Sequence, residues 1–206
     1  MKTAAVVLAT LVMMAAPAWA DRPQALGLLA EGDALAAAGD RDGALVRYRA
    51  ALAEDVDLLV VYDHAIPLWF EAGRWVEAAR YLERATARHP EWAHGWYALG
   101  FIYRKTDRPA AAALAYQEYI ALRPGEAEPW YGLAVSHELE GATPRAVWAW
   151  RRYLALERRT DLSSFRAEAH HAIERLLGPP RGWREGVRRF LIDGGGAAAL
   201  LRIAGL

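Results

Sequence analysis

Residues 93–126 read AHGWYALGFIYRKTDRPAAAALAYQEYIALRPGE, and their order of bulky, small and helix-ending residues recurs along the chain. Ala112 lies 34 residues from both Ala78 and Ala146, and Ala44 continues the series without insertion or deletion. Gly39, Gly73 and Gly141 keep the same register, as do Pro90 with Pro124 and Trp96 with Trp130. A fixed period of this length marks one supersecondary unit copied along an axis, each copy burying its apolar face against the next. The composition agrees with such an array: 54% of the 206 residues are hydrophobic and 9 are tryptophan, too apolar for a disordered chain.

Within 93–126, Trp96, Leu99, Gly100, Tyr103, Ala112, Tyr116 and Pro124 fall on the pattern of the tetratricopeptide repeat, which the stretch resembles. In that phase the other copies are 25–58, with Leu28, Gly32, Ala44, Tyr48 and Ala51; 59–92, with Tyr62, Trp69, Ala78, Leu82, Ala85 and Pro90; and 127–160, with Trp130, Leu133, Ala134, Ala146 and Trp150. The resemblance implies an all-α, right-handed superhelical solenoid of about four helix-turn-helix units across 21–160. Physical reasons support the spacing. Gly100 and Ala112 are small where antiparallel helices approach closely, and Pro90 and Pro124 cannot continue a helix, so they close each unit.

Departures from the pattern are local. Tyr119 and Tyr153 stand where this family usually places alanine, which predicts wider helix spacing in the last two copies. Asp107 takes the place of the turn glycine, and Val56 and Arg158 that of the closing proline. Pro67 inside a first helix removes one hydrogen bond and predicts a kink there.

Residues 1–20, MKTAAVVLATLVMMAAPAWA, read as a signal peptide, with Lys2 at the start, an apolar run from Ala4 to Ala16 and a small-residue cleavage pattern at Ala18-Trp19-Ala20. The apolar run is shorter than the roughly 20 residues a spanning helix needs. The expected location is the bacterial periplasm or beyond. There is no cysteine, so disulfides, thiolate metal sites and a lipidated cysteine are excluded. With 25 basic and 25 acidic residues the formal net charge is zero, and no global field exists to hold nucleic acid.

Residues 161–178 read as a capping helix. Ser163 or Ser164 would cap its start, Phe165, Ala169, Ile173, Leu176 and Leu177 would form its apolar stripe, and Gly178 before Pro179-Pro180 would end it. Residues 181–206 leave the repeat. Trp183, Val187, Phe190 and Leu191 can share one face opposite Arg184 and Arg188, so this tail either packs on the array or forms an amphipathic arm for a partner helix or a peripheral membrane contact.

Residue types for catalysis are sparse: no Cys, no Asn, and Ser only at 136, 163 and 164. Ser136 and His137 are neighbours on a helix, about 100° apart around its axis, and do not face each other. His170 and His171 fail as a metal pair for the same reason, and no cofactor motif is present. Neither an enzyme nor a metal or cofactor site is expected.

In tetratricopeptide proteins the first helices of successive repeats line a concave face. Carried over residue by residue, the resemblance places Asp63, Pro67, Phe70 and Glu71, then His94, Tyr97, Phe101, Arg104 and Lys105, then Glu128, Tyr131, Val135, Glu138 and Leu139 on it. Aromatic centres ringed by charge suit a peptide-binding groove, although the same rings could instead pack between neighbouring helices. The clamp that some members use for a terminal carboxylate does not transfer, because Tyr97 and Phe101 occupy its lysine and asparagine places. The function expected is a protein-interaction scaffold of the cell envelope that holds a peptide or helix of another envelope protein. A structural spacer docked through 181–206 is the alternative. No heptad seam specifies an oligomer.

Overall fold

The computed structural model describes residues 22–159 and 161–178. Among these residues there are nine α-helices and no strand: α1 Arg22–Ala37, α2 Arg41–Glu54, α3 Leu59–Glu71, α4 Trp75–Arg88, α5 Ala93–Lys105, α6 Pro109–Leu122, α7 Glu128–Leu139, α8 Thr143–Leu156 and α9 Ser163–Leu177. No helix among them is long and apolar enough to cross a membrane. The chain divides into two compact units, Met1–His89 and Pro90–Leu206. In the first, α1 packs on α2, α2 on α3 and α3 on α4; in the second, α5 to α9 pack in chain order, with α5 also touching α7.

The second helices α2, α4, α6 and α8 begin at Arg41, Trp75, Pro109 and Thr143, which are 34 residues apart throughout. Each hairpin turns by the same device. Asp40, Arg74, Arg108 and Ala142 donate their N–H groups five residues back, to Leu35, Trp69, Tyr103 and His137, at 2.8 to 2.9 Å. That wrap requires a left-handed residue one position earlier. Gly39, Gly73 and Gly141 supply it with φ of 85°, 63° and 70°, and Asp107 adopts it with φ of 54°. The ends of the second helices repeat as well: Asp55, His89, Arg123 and Glu157 each donate their N–H to the carbonyl four residues back.

Small residues set the packing inside each unit. Gly32 on α1 faces the Tyr48 ring of α2. In the second unit the Tyr116 ring of α6 is clasped between Gly100 on α5 and Gly132 on α7. Ala44, Ala78, Ala112 and Ala146 are all fully buried. Helix α3 runs on through Pro67 to Glu71, with Pro67 exposed.

Helix α9 differs from the expected cap in two ways. Its N-cap is Leu162, with no side-chain hydrogen bond, so neither Ser163 nor Ser164 caps it. Its buried residues are Ala169 and Ala172, while Phe165 and Leu177 of the anticipated stripe are 44% and 56% exposed. Small residues let α9 lie close on α8, and that leaves the bulky ones at the edge of the contact. Pro179 onward, including the tail 181–206, lies outside the described residues, as do residues 1–21.

Candidate functional site

The second unit carries a site built by the repeat itself. Tyr97 on α5, Tyr131 on α7 and Phe165 on α9 are 34 residues apart. They occupy one position on three successive first helices, which makes α9 the first helix of a fifth copy. Each of the two tyrosines meets two rings from its own second helix. Tyr97 lies 5.9 Å from Tyr116 and 5.5 Å from Tyr119 between ring centroids. Tyr131 lies 5.0 Å from Trp150 and 5.6 Å from Tyr153, in the same register, and 5.7 Å from Phe165. The interplanar angles at Tyr131 run from 72° to 87°, the edge-to-face arrangement that aromatic quadrupoles favour. The two positions where the family resemblance would place alanine thus complete the clusters with Tyr119 and Tyr153.

Of these rings, Tyr97, Tyr116, Tyr131, Tyr153 and Phe165 wall a cavity of about 230 Å³. Its lining is Tyr97, Phe101, Arg104, Tyr116, Glu128, Tyr131, Gly132, Tyr153, Glu157, Leu162 and Phe165. The tyrosine hydroxyls are held neutral. Burial first, and then donation to Glu168 Oε1 at 2.9 Å, pushes Tyr131 up to about 12. Burial likewise raises Tyr97 and Tyr116. No proton-transfer role at neutral pH follows from groups shifted in this direction.

The charged groups around the cavity divide sharply. Glu157, 2% exposed, accepts from Arg159 Nη2 at 2.7 Å, Arg159 Nε at 3.0 Å and the Arg159 backbone N–H at 2.9 Å. That hydrogen bonding holds its carboxyl at about 2. Glu128 lies 3.6 Å from the same arginine. Arg104 is different. Its guanidinium carbon is 5.9 Å from the Phe101 centroid and 6.0 Å from the Tyr116 centroid, and its buried Nε has no hydrogen-bond partner.

Of the residues expected in one groove, Tyr97, Phe101, Arg104, Glu128 and Tyr131 meet in this cavity. His94 lies beside it, in a shallower depression with Tyr97, Tyr119 and Glu126. Val135 and Glu138 line another, with Leu139, Trp150 and Arg175. Glu138 accepts from Trp150 Nε1 at 2.5 Å and from Arg175. Lys105 is exposed, with its Nζ 5.4 Å from the Phe101 centroid. Asp63, Phe70 and Glu71 belong to the first unit, where Phe70 lies 5.5 Å from Trp75 and Glu71 pairs with Arg41 at 2.6 Å.

Sequence reasoning missed Tyr116, Tyr153, Glu157 and Phe165 as cavity residues. Phe165 was within reach of it, because one further step of 34 from Tyr131 arrives there. Glu157 carried no comparable signal. Ser136 and His137 engage separate partners: Ser136 Oγ donates to the Gly132 carbonyl at 2.8 Å, and His137 Nδ1 lies 2.9 Å from Glu140 Oε2.

No family model matches the chain, and no curated protein sequence does. Solved structures do. A crystal structure of the MamA protein superposes with a TM-score of 0.65 at 22% identity, covering 74% of this chain and 80% of that one. A second MamA crystal structure gives 0.60 at 22% identity over 71% and 92%. YrrB, described as a TPR protein with an unusual peptide-binding site, gives 0.62 at 19% identity over 77% and 79%. At these identities the likeness establishes the fold, an all-α solenoid of tetratricopeptide repeats.

Proposed function

We propose that this tetratricopeptide-repeat chain is a protein-interaction scaffold of the bacterial envelope, and that it holds an extended peptide or a helix of another envelope protein. The observation that carries the reading is the aromatic cavity formed where Tyr97, Tyr131 and Phe165 repeat one position on successive first helices. Rigid rings lose little conformational entropy on binding and supply apolar anchors, while the charged rim fixes register. YrrB gives support as a protein of the same fold with a peptide-binding site. The envelope location rests on residues 1–20, with export through cleavage after Ala20. Amino-terminal sequencing of the purified native protein should begin at Asp21.

The test is a crosslinking pull-down from the native envelope fraction. Unaltered protein is compared with a Tyr97→Ala/Phe101→Ala/Arg104→Ala variant and with a chain truncated after Gly178. A partner lost on substitution and kept on truncation supports the cavity as the binding site. Loss on truncation alone assigns binding to the tail and makes the repeats a spacer. Capture unchanged in both variants, with the fold intact by circular dichroism, overturns the reading.

A further inference from the structure

We infer that the cavity of the second unit selects a carboxylate carried beside a bulky apolar group, with Arg104 as the selecting residue. The inference deepens the scaffold reading and rests on it for its biological setting. It begins with an unequal pair of repeats. Both the third and the fourth copies build the same trio of rings, but at the twelfth position the third has Arg104 and the fourth Glu138. Glu138 is fully engaged by Trp150 and Arg175. Arg104 forms no hydrogen bond through its buried Nε, and no carboxylate among the described residues lies in salt-bridge range of it.

A guanidinium offers five donors in a rigid fork. Contacts near 6 Å to the faces of Phe101 and Tyr116 lie at the limit of useful cation–π attraction and accept no hydrogen bond. Arg104 is half-buried, and a buried N–H left without an acceptor, as its Nε is, carries a desolvation cost that a paired acceptor would remove. The lining cannot provide the partner, since Glu157 and Glu128 are both directed to Arg159. Its other walls are aromatic. A ligand that satisfies the site must bring its own acceptor and, next to it, an apolar group for the rings.

Size and charge narrow the class. An apolar cavity of ~150 Å³ accommodates benzene, so about 230 Å³ leaves room for a ring with a short carboxylate arm. Glu128 and Glu157 share the lining with Arg104, its one cation, and Glu168 is bonded to Tyr131 of the same lining, which disfavours a dianion such as phosphate relative to a single negative charge. On a protein partner this chemistry is an Asp or Glu side chain adjacent to an aromatic or branched aliphatic residue.

The probe is 3-phenylpropionate, with neutral 3-phenylpropionamide as its near-isosteric control, titrated into the full chain and followed by saturation-transfer and chemical-shift NMR. The acid should bind roughly tenfold or more tightly than the amide, the margin expected of a charge-assisted hydrogen bond. Arg104→Gln should reduce that preference to near unity and leave the weak affinity for the amide unchanged. Equal binding of acid and amide to the unaltered protein overturns the inference, as does binding of neither. That comparison does not depend on the variant folding. Partner capture that persists while acid and amide remain indistinguishable removes the carboxylate preference and leaves the scaffold reading standing.

Discussion

Gly132 shows how little room the repeat leaves at one atom. A Cβ built there falls on the Tyr116 ring well inside van der Waals contact, and at Gly100 the same ring stands 2.9 Å from the added carbon. Tyr116 is 2% exposed and is held between the two glycines. Replacing a mid-helix glycine with alanine ordinarily stabilises by about 0.5–1 kcal/mol, whereas overpacking costs about 1–3 kcal/mol. Gly132→Ala should therefore lower stability by about 1–2 kcal/mol in urea unfolding followed by circular dichroism. Gly27→Ala, on an exposed stretch of α1 with nothing within 4 Å, should raise it by about 0.5 kcal/mol. Asp107 offers the opposite opportunity. It holds φ of 54° where the other three turns have glycine, and a left-handed non-glycine residue costs about 1–2 kcal/mol. Part of that returns as glycine's greater unfolded-state entropy, so Asp107→Gly should gain about 0.5–1 kcal/mol by the same measurement. The substitution at 107 was legible in the sequence because the repeat register exposes it. The clasp at Gly132 was not, because the ring that makes glycine necessary there arrives from the preceding repeat.

At the scale of the helix, α9 marks where reading by local chemistry gave way to the register. Capping rules pointed to Ser163 or Ser164 and the apolar stripe ran through Phe165, Ala169, Ile173, Leu176 and Leu177, yet the helix is capped at Leu162 and, of that stripe, only Ala169 is fully buried, with Ala172 beside it. Position within the repeat decided its placement: α9 sits as the next first helix, with Phe165 following Tyr97 and Tyr131. The helices before it were readable for the same reason, since closing prolines, turn glycines and buried alanines all recur at one step. What the linear pattern did not reveal was which second-helix rings turn towards the first helices, because that depends on the close approach that Gly100 and Gly132 permit. If the small residues of α9 fix its docking, Ala169→Leu should overpack the α8 contact at a cost of about 1–3 kcal/mol. Hydrogen exchange should then accelerate in α9 amides while those of α5 and α6 keep their protection. Uniform acceleration across the second unit would show that α9 is integral to it and not a separately docked element.

Across the whole molecule, formal charges balance at 25 against 25 at pH 7, so at that pH particular ion pairs and not a global field set the electrostatic stability. Among the described residues each unit holds one strongly perturbed acid. Hydrogen bonds from Arg88, 2.6 Å from each Asp57 oxygen, with His89 Nε2 at 3.0 Å, hold Asp57 at about 2. Arg159 does the same for Glu157. Ordinary values are 3.8 and 4.5. Folded values below the unfolded ones mean that the native state binds fewer protons in this range. The stabilisation is complete above about pH 4.5 and disappears as pH falls towards 2. Because both arginines are about half exposed, each pair is worth at most about 1 kcal/mol. Asp57→Asn and Glu157→Gln should each lower stability by up to that amount at pH 7, and the deficits should narrow steadily between pH 4.5 and pH 2. The sites lie in different compact units, so the double variant should show the sum. Salt separates the two. The Asp57 side chain is 26% exposed and that of Glu157 only 2%, so 1 M salt, with a Debye length of about 3 Å, should shrink the Asp57→Asn deficit more than the Glu157→Gln deficit. A deficit for either variant that persists unchanged to pH 2 would assign its effect to packing, because near that pH the folded wild-type acid is about half protonated and most of its charge-dependent stabilisation is already lost.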